Sequence, residues 1–451
     1  MRNLDAFKAY DIRGRIPEEI NESLAYDIGR AYAAFVKPHR VALGYDIRLS
    51  SPALAAALKR GLMDLGAQVL DIGLWGTEGA YFATFAEGLD GGIMVTASHN
   101  PPDYNGMKFV REQARPISAD TGLQQMRALI ANDALPPPTA RRGTEQRLDI
   151  RASYLKHVLS YVNPAQLRRL KVLVNAGNGG AGLIVDLLEP YLPFEFIKMN
   201  HEPDGTFPHG VPNPMLEENR AATAEAIRRS GADLGLAWDG DYDRCFFFDE
   251  SGRFIEGYYL VGLLAETFLK QEPGARIVHD PRLTWNTLDI VHRLGGTPVL
   301  CKSGHAFIKQ KMREVDAAYG GEMSAHHYFR KFSYCDSGMI PWLLVLAVMS
   351  ERNQPLSELV EERMKLFPAS GEINRHLRTE AKTILARVRQ HYESQPQAID
   401  LTDGLSMEFP QWRFNLRGSN TEPLVRLNVE ARGSEALMRE KTAEVLKLVD
   451  G

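Results

Sequence analysis

One pattern occurs three times along this chain and limits its fold more than any other feature. It runs "VALGYDIRLSSPALAAALKRGLMDLGAQVLDIG" from Val41 to Gly73, "VLVNAGNGGAGLIVDLLEPYLPFEFIKM" from Val172 to Met199, and "IVHDPRLTWNTLDIVHRLGGTPVLCKSG" from Ile277 to Gly304. Each copy reads as an apolar strand, a polar loop, an amphipathic helix and a second strand. Strands joined through a helix pair in parallel by right-handed crossovers. Three copies spaced at domain length predict three related domains, because one core cannot fill a chain of 451 residues.

The punctuation between copies predicts the boundaries. "ALPPPTARRGTEQ", Ala134 to Gln146, is proline-rich and polar, which suits a linker. "ESGRFIEG", Glu250 to Gly257, reads as a turn and a short strand before a long helix. The stretch near "LFPASGEINR", Leu366 to Arg375, closes the third unit. Beyond it, a helix around "AKTILARVRQHYES" and alternating strands around "WRFNLRGSNTEPLVRLNVEAR" indicate a smaller α+β domain. The expected division is 1–145, 146–253, 254–367 and 368–451. The expected class is α/β: three related mixed-sheet α/β domains plus the C-terminal α+β domain, around a central cleft.

Charge and cysteine usage narrow the function classes. Lys plus Arg is 53 and Asp plus Glu 57, a net charge of −4, so no strong basic field awaits nucleic acid or an anionic membrane. Cys245, Cys301 and Cys335 lie far apart without a CxxC pair, which argues against disulfides or zinc and for a reducing cytoplasm. The opening "MRNLDAFKAYDIRG" does not read as a signal peptide, and no stretch is long and apolar enough to span a membrane.

Four loops carry chemistry. "TASHNPPDYNGMKF", Thr96 to Phe109, follows the apolar run "GGIMV" and places a serine beside a histidine, two prolines and a lysine. Ser98 there is a nucleophile, a phosphate carrier or a turn residue. In "LAWDGDYDR", Leu236 to Arg244, three aspartates stand two residues apart, which in an extended chain puts Asp239, Asp241 and Asp243 on one side. Burying them together needs a cation. An EF-hand would place Glu250 at position twelve, but Arg244 stands at position six and "CFFF" follows. A few carboxylates plus a phosphate oxygen suit magnesium; the plain alternative is a solvated acidic turn. "NLRGSNTEPLVR", Asn415 to Arg426, offers short polar side chains, a glycine and two arginines for an anion, and reads equally as a polar hairpin turn. In "GGEMSAHHYF", Gly320 to Phe329, Glu322 and Ser324 alternate, so both can face one way, with His326 near enough for proton transfer; a plain loop is the rival reading. "GNGGAG", Gly177 to Gly182, matches a dinucleotide fingerprint in form, though tight helix–strand packing explains the glycines equally well.

Together the four loops resemble the α-D-phosphohexomutases. "TASHNP" is similar to that family's phosphoserine loop, "DGDYDR" to its metal loop, "GEMSAH" to its sugar loop and "RGSNTEP" to its phosphate loop, in the family's order across the chain. The wording of "GEMSAHHYF" and "DPRLTWN" is most like the bacterial branch acting on mannose and glucose phosphates; the phosphoglucosamine branch tends to read "GEQSGH". The resemblance implies that Ser98 carries a phosphoryl group, that Asp239, Asp241 and Asp243 bind Mg²⁺ with an oxygen on Ser98, and that Glu322 and Ser324 hold sugar hydroxyls. It assigns Arg417, Ser419, Asn420, Thr421 and Arg426 to the phosphate that is not reacting. Tyr10 and Arg13 in "AYDIRG", Lys108, and His305 in "KSGH" match further active-site positions, and Arg244 would neutralise the moving phosphoryl group. Two departures stand out: Arg282 where some relatives carry lysine, and Ala325 where many carry glycine.

The implied reaction interconverts hexose 1- and 6-phosphates, mannose above all and glucose as an extension, with a hexose 1,6-bisphosphate as intermediate and activator. The favoured base is Lys108, then His326 and His99, although a lysine needs its pKa lowered for that task. Implied partners are the hexose phosphates alone, with neither nucleic acid nor membrane, for a cytoplasmic monomer or weak dimer supplying GDP-mannose synthesis. The rivals are a phosphoglucomutase or phosphoglucosamine mutase of the same family, a phosphatase, and a silent sugar-phosphate sensor. A serine hydrolase fits worst, since neighbouring Ser98 and His99 make no triad and no GxSxG elbow is present.

Overall fold

The computed structural model describes residues 3–377, 379–418 and 424–451. The chain forms two compact units, Met1–Phe254 with Tyr328–Asn353, and Ile255–His327 with Gln354–Gly451.

The first unit holds two mixed sheets. In the larger, strands Ile12–Arg15, Tyr104–Arg111, Gly91–Val95, Arg40–Tyr45, Gln68–Leu74 and Glu145–Arg147 lie side by side. The first repeated unit supplies the parallel pair Arg40–Tyr45 and Gln68–Leu74, as its crossover helix requires. Gly91–Val95 and Tyr104–Arg111 run antiparallel, so the serine loop is the connection of a hairpin. In the second sheet, Glu195–Met199, Lys171–Asn175 and Leu234–Trp238 are parallel, and Cys245–Phe248 returns antiparallel beside Trp238. The aspartate loop, Asp239 to Arg244, is again a hairpin connection. Both chemical loops therefore sit where a parallel sheet gains an antiparallel strand.

In the second unit, Arg276–His279 lies between Thr297–Leu300 and Tyr319–Gly321, parallel to both. The C-terminal part is a five-stranded antiparallel sheet in the order Ile373–His376, Leu424–Ala431, Trp412–Gly418, Leu405–Glu408, Ala398–Asp400. Alternation sorts its side chains. Trp412, Phe414, Leu416, Val425, Leu427 and Val429 join a core with Ile384, Val388, Met438 and Val445 of helices Ala381–Tyr392 and Glu435–Asp450. The intervening positions place Arg413, Asn415 and Arg417 directly opposite Glu430, Asn428 and Arg426. Three mixed or parallel α/β sheets and one antiparallel sheet accord with the expected class.

Two helices of the first unit, Glu22–Val36 and Ser51–Asp64, cross with almost no room between their backbones. A Cβ on Gly61 would lie 2.1 Å from the Tyr26 carbonyl oxygen, and one on Gly29 2.3 Å from that of Leu58. Helix propensity alone says that Gly61→Ala gains about 1 kcal/mol. The backbone collision is larger and reverses the sign. Gly61→Ala is expected to lose about 2 kcal/mol in urea unfolding, as overpacked cores do; a stability gain would show that the helices separate freely.

Candidate active site

The serine loop is held from behind by one arginine. Arg48, fully buried, donates from Nη2 to the carbonyls of Ser98 (2.9 Å) and Asn100 (2.6 Å), and from Nη1 to those of Pro101 (2.7 Å) and Tyr104 (2.9 Å). Asp46 stands 3.5 Å from its Nε. Ser98 takes a left-handed conformation, φ 47°, and its N–H donates to Thr96 Oγ1 at 3.0 Å. The prolines stiffen the loop, but four hydrogen bonds to one guanidinium set its course. Arg13, on the strand beside Tyr104–Arg111, donates to Asn100 Oδ1 at 2.7 Å from the other side. Tyr10 lies in the bend just before that strand.

The aspartate loop closes on this serine. Gly240 allows the approach, because a Cβ there would sit 2.5 Å from the Ser98 carbonyl oxygen. Ser98 Oγ donates to Asp239 Oδ2 at 2.6 Å. Asp239, Asp241 and Asp243 are all buried, with carboxylate oxygens within 4.8 Å of one another. They converge through a turn with Tyr242 at φ 46°, not through the extended run that their spacing suggested. The glycines of "GNGGAG" serve packing: a Cβ on Gly179 would meet the Gly240 carbonyl at 2.9 Å, and one on Gly182 that of His201 at 2.2 Å.

Two cations balance the three carboxylates. Lys108 Nζ contacts Asp241 at 2.8 Å and Asp243 at 2.6 Å. Arg244 donates from Nε and Nη2 to Asp239 Oδ2, at 3.0 and 2.7 Å. Thr77, at the start of helix Thr77–Ala86, donates to Asp241 Oδ2 at 2.5 Å, and Thr96 donates to the same oxygen at 3.1 Å. Burial works against the charge on Lys108, but Asp241 and Asp243 outweigh it and raise its pKa. In this arrangement Lys108 Nζ donates to both carboxylates. Burial, then Arg244 and Arg13, push His99 well below the usual histidine range. Its Nδ1 lies 2.5 Å from Arg244 Nη2 and 3.1 Å from Ser98 Oγ, so a neutral ring accepts there.

These residues fit a divalent cation. The three carboxylates face one another, and Asp241 Oδ1 is buried without a hydrogen-bond partner. An oxygen-only donor set of this kind is a site for a hard cation.

The second unit gathers the remaining predicted residues around Arg282, which is 3 % exposed. Its Nη2 contacts Asp280 (2.7 Å), Ser324 Oγ (3.1 Å) and Glu322 Oε1 (3.4 Å). Glu322 and Ser324 do face one way, but through a turn in which Ala325 N–H donates to the Glu322 carbonyl, not through the extended alternation that their spacing suggested. Glu322 Oε1 also accepts from Gly304 N at 2.9 Å, just ahead of His305, whose ring centre lies 6.5 Å from that of His326. Ala325, at φ 70°, occupies the region that glycine enters without strain, which gives the departure at this position a physical meaning. Arg417 and Arg426 meet Glu372 at 3.3 and 3.4 Å, and Arg282 Nη1 reaches the same carboxylate at 3.4 Å. Burial opposes the charge of Glu372, but the three guanidiniums hold its pKa below the usual carboxylate range. Ser419, Asn420 and Thr421 lie outside the described residues.

Arg48, Thr77 and Glu372 carry no spacing signal. Arg48 stands inside the first repeated unit, in "YDIRLS", and Glu372 in the boundary stretch "LFPASGEINR"; each sequence places them in a connection without saying what they grip.

Four family models of phosphoglucomutase/phosphomannomutase match the chain: alpha/beta/alpha domain I at residues 4–135, domain II at 152–252, domain III at 256–367, and the C-terminal domain at 372–447. Phosphohexose mutases of Xanthomonas campestris pv. campestris strain B100 are 60% identical over 99% of this chain and 100% of their own length. A phosphomannomutase of Salmonella montevideo is 59% identical over 100% of both. A crystal structure of a phosphoglucomutase/phosphomannomutase family protein from Burkholderia thailandensis aligns with a TM-score of 0.89 at 31% identity, covering 100% of this chain and 98% of that one.

The Arg48 clamp yields a direct expectation. Lysine has three donors on one atom and cannot span four carbonyls, so Arg48→Lys leaves buried acceptors unmet at a cost of about 2–4 kcal/mol. Turnover should fall at least about tenfold as Ser98 loses its position. Urea unfolding and initial rates check both, and wild-type values in each would refute the clamp.

Proposed function

The chain belongs to the phosphoglucomutase/phosphomannomutase family, and on that premise we propose that it interconverts mannose 6-phosphate and mannose 1-phosphate, through a phosphoserine at Ser98 and a 1,6-bisphosphate. The observation that carries this reading is the buried contact of Ser98 Oγ with Asp239, inside a cluster of three carboxylates and two cations. Full-length relatives named phosphomannomutase support the choice of sugar.

Phosphate monoesters are inert, so positioning and charge neutralisation must do most of the work. In the first half, the bond from phosphorus to Ser98 Oγ breaks as one forms to a sugar hydroxyl oxygen. The hydroxyl proton passes to a base, and Ser98 ends as a hydroxyl. In the second half the other phosphate returns to Ser98, leaving the isomeric monophosphate. Arg244 faces the serine and offers charge to the moving group. Mg²⁺ held by Asp239, Asp241, Asp243 and an oxygen on Ser98 would neutralise phosphoryl charge and release Lys108 from Asp241 and Asp243. Lys108, His99 and His326 are the proton carriers, with Tyr10 and His305 at the substrate. Glu322 and Ser324 hold adjacent sugar hydroxyls, and Arg417, Arg426 and the 419–421 stretch hold the idle phosphate. A site that reads O3 and O4 and ignores C2 also accepts glucose phosphates. The reaction needs no membrane, and no helix among the described residues is long and apolar enough to cross one; the cytoplasm is the proposed compartment.

Two experiments test this reading. Intact-mass analysis of active protein should show one phosphate, absent from Ser98→Ala, which should lose turnover by at least about a thousandfold; normal turnover in that variant would end the phosphoserine mechanism. Chelation should abolish activity, and Asp241→Asn should raise the magnesium concentration needed for half-maximal rate by about tenfold or more. Undiminished rates in a chelator would remove the metal from the account.

A further inference from the structure

The C-terminal sheet contains an arrangement that strands normally avoid. Arg417 and Arg426 are direct cross-strand partners in the antiparallel pair Trp412–Gly418 and Leu424–Ala431. Like charges in that relation repel and destabilise a sheet. Two pairs along the same face, beyond Asn415 and Asn428, Arg413 opposite Glu430 is by contrast a buried ion pair at 2.8 Å. The arginine pair therefore requires an anion, and the fold brings one. Glu372 immediately precedes strand Ile373–His376, in which Asn374 is the register partner of Arg426. Its carboxylate, 7 % exposed, reaches Arg417 through one oxygen and Arg426 through the other. Arg282, from the loop after strand Arg276–His279, joins the first oxygen.

The fit is loose. All three contacts measure 3.3–3.4 Å, against the 2.7–2.9 Å or so of a well-made guanidinium–carboxylate bond. Arg282 Nε and Arg417 Nε are buried with no hydrogen-bond partner. The Glu372 carboxylate is thus stretched over three guanidiniums; Asp280 and Glu322 also face Arg282 and Asp403 lies 3.8 Å from Arg417, yet both of those arginines keep a buried donor unused. Buried donors of that kind are costly unless an acceptor arrives.

We propose that Glu372 is a resident counter-anion of the arginine pair, which keeps Arg417 and Arg426 convergent between turnovers and weakens their grip on a substrate phosphate. This rests on the reading of these two arginines as phosphate ligands. Glu372 acts through the arginines and is a positioning residue. Its charge repels a phosphate dianion drawn to the same guanidiniums, so the dianion is held less tightly than three arginines alone would hold it. For a mutase, whose bisphosphate must let go and turn around, a weaker grip is an advantage. Binding that is equally strong in ground and transition states contributes nothing to turnover once the site is full.

The test uses the full-length protein and inorganic phosphate as probe, with binding measured by calorimetry and turnover measured on mannose 1-phosphate. Glu372→Gln should tighten phosphate about fivefold to tenfold, since one nearby like charge is removed. It should lower KM and kcat together, a split that general loss of structure does not produce. Glu372→Asp keeps the charge and should restore the wild-type dissociation constant to within about twofold. Glu372→Ala must move phosphate affinity in the same direction as Gln, which keeps the test open if one variant folds poorly. Unchanged or weaker phosphate binding in both Gln and Ala variants overturns the proposal. Arg417→Gln separates the two levels: if it binds phosphate as the wild type does, the phosphate-site reading itself fails, whereas loss of binding there leaves the role of Glu372 to be judged by its own variants.

Discussion

Three carboxylates on one turn, all out of reach of water, are the constraint around which the first unit is organised. Asp239, Asp241 and Asp243 cannot be buried alone. Arg244 comes from the same turn, but Lys108 comes from a strand of the other sheet, and Thr77 and Thr96 from that sheet's own connections. The charge problem of one domain is solved with side chains of another. That solution also places Ser98 against Asp239. The Ser98 hydroxyl is one of the donors that the carboxylates gather.

The second unit also buries a cluster of charges, here equal in number. Arg282, Arg417 and Arg426 arrive from three separate segments, and Asp280, Glu322 and Glu372 stand among them. In the first unit three carboxylates face two cations, a negative surplus that suits a further cation. In the second the arginines are drawn onto a carboxylate by contacts too long to satisfy them.

Much of this was legible in the sequence where chemistry is local. A repeated strand–loop–helix–strand unit announces its parallel pairing; that Glu322 and Ser324 share a side was legible too, although a turn at Ala325 and not extended alternation brings them to one guanidinium. The aspartates were legible as a cluster but not in their geometry: their convergence depends on Tyr242 entering a left-handed turn, which spacing does not report. Lys108 was visible as a candidate amine, whereas its grip by two carboxylates some 130 residues downstream was not. Arg48 and Glu372 escaped notice for the same reason. Each acts through partners distant in the chain, and nothing in their immediate neighbours marks them apart from any other arginine in a loop or glutamate before a strand.

The Arg48 clamp has a consequence for how such a loop can change over time. Its four bonds all end on main-chain oxygens, which every residue carries alike. Much of the loop's course is thus set by acceptors that do not change with the side chains it carries. Apart from the two prolines and Asn100, which Arg13 holds by its side chain, the path does not depend on which side chains the loop carries. Shape and reactivity are inherited separately here: one resides in a single arginine 50 residues upstream, the other in whatever the path happens to present.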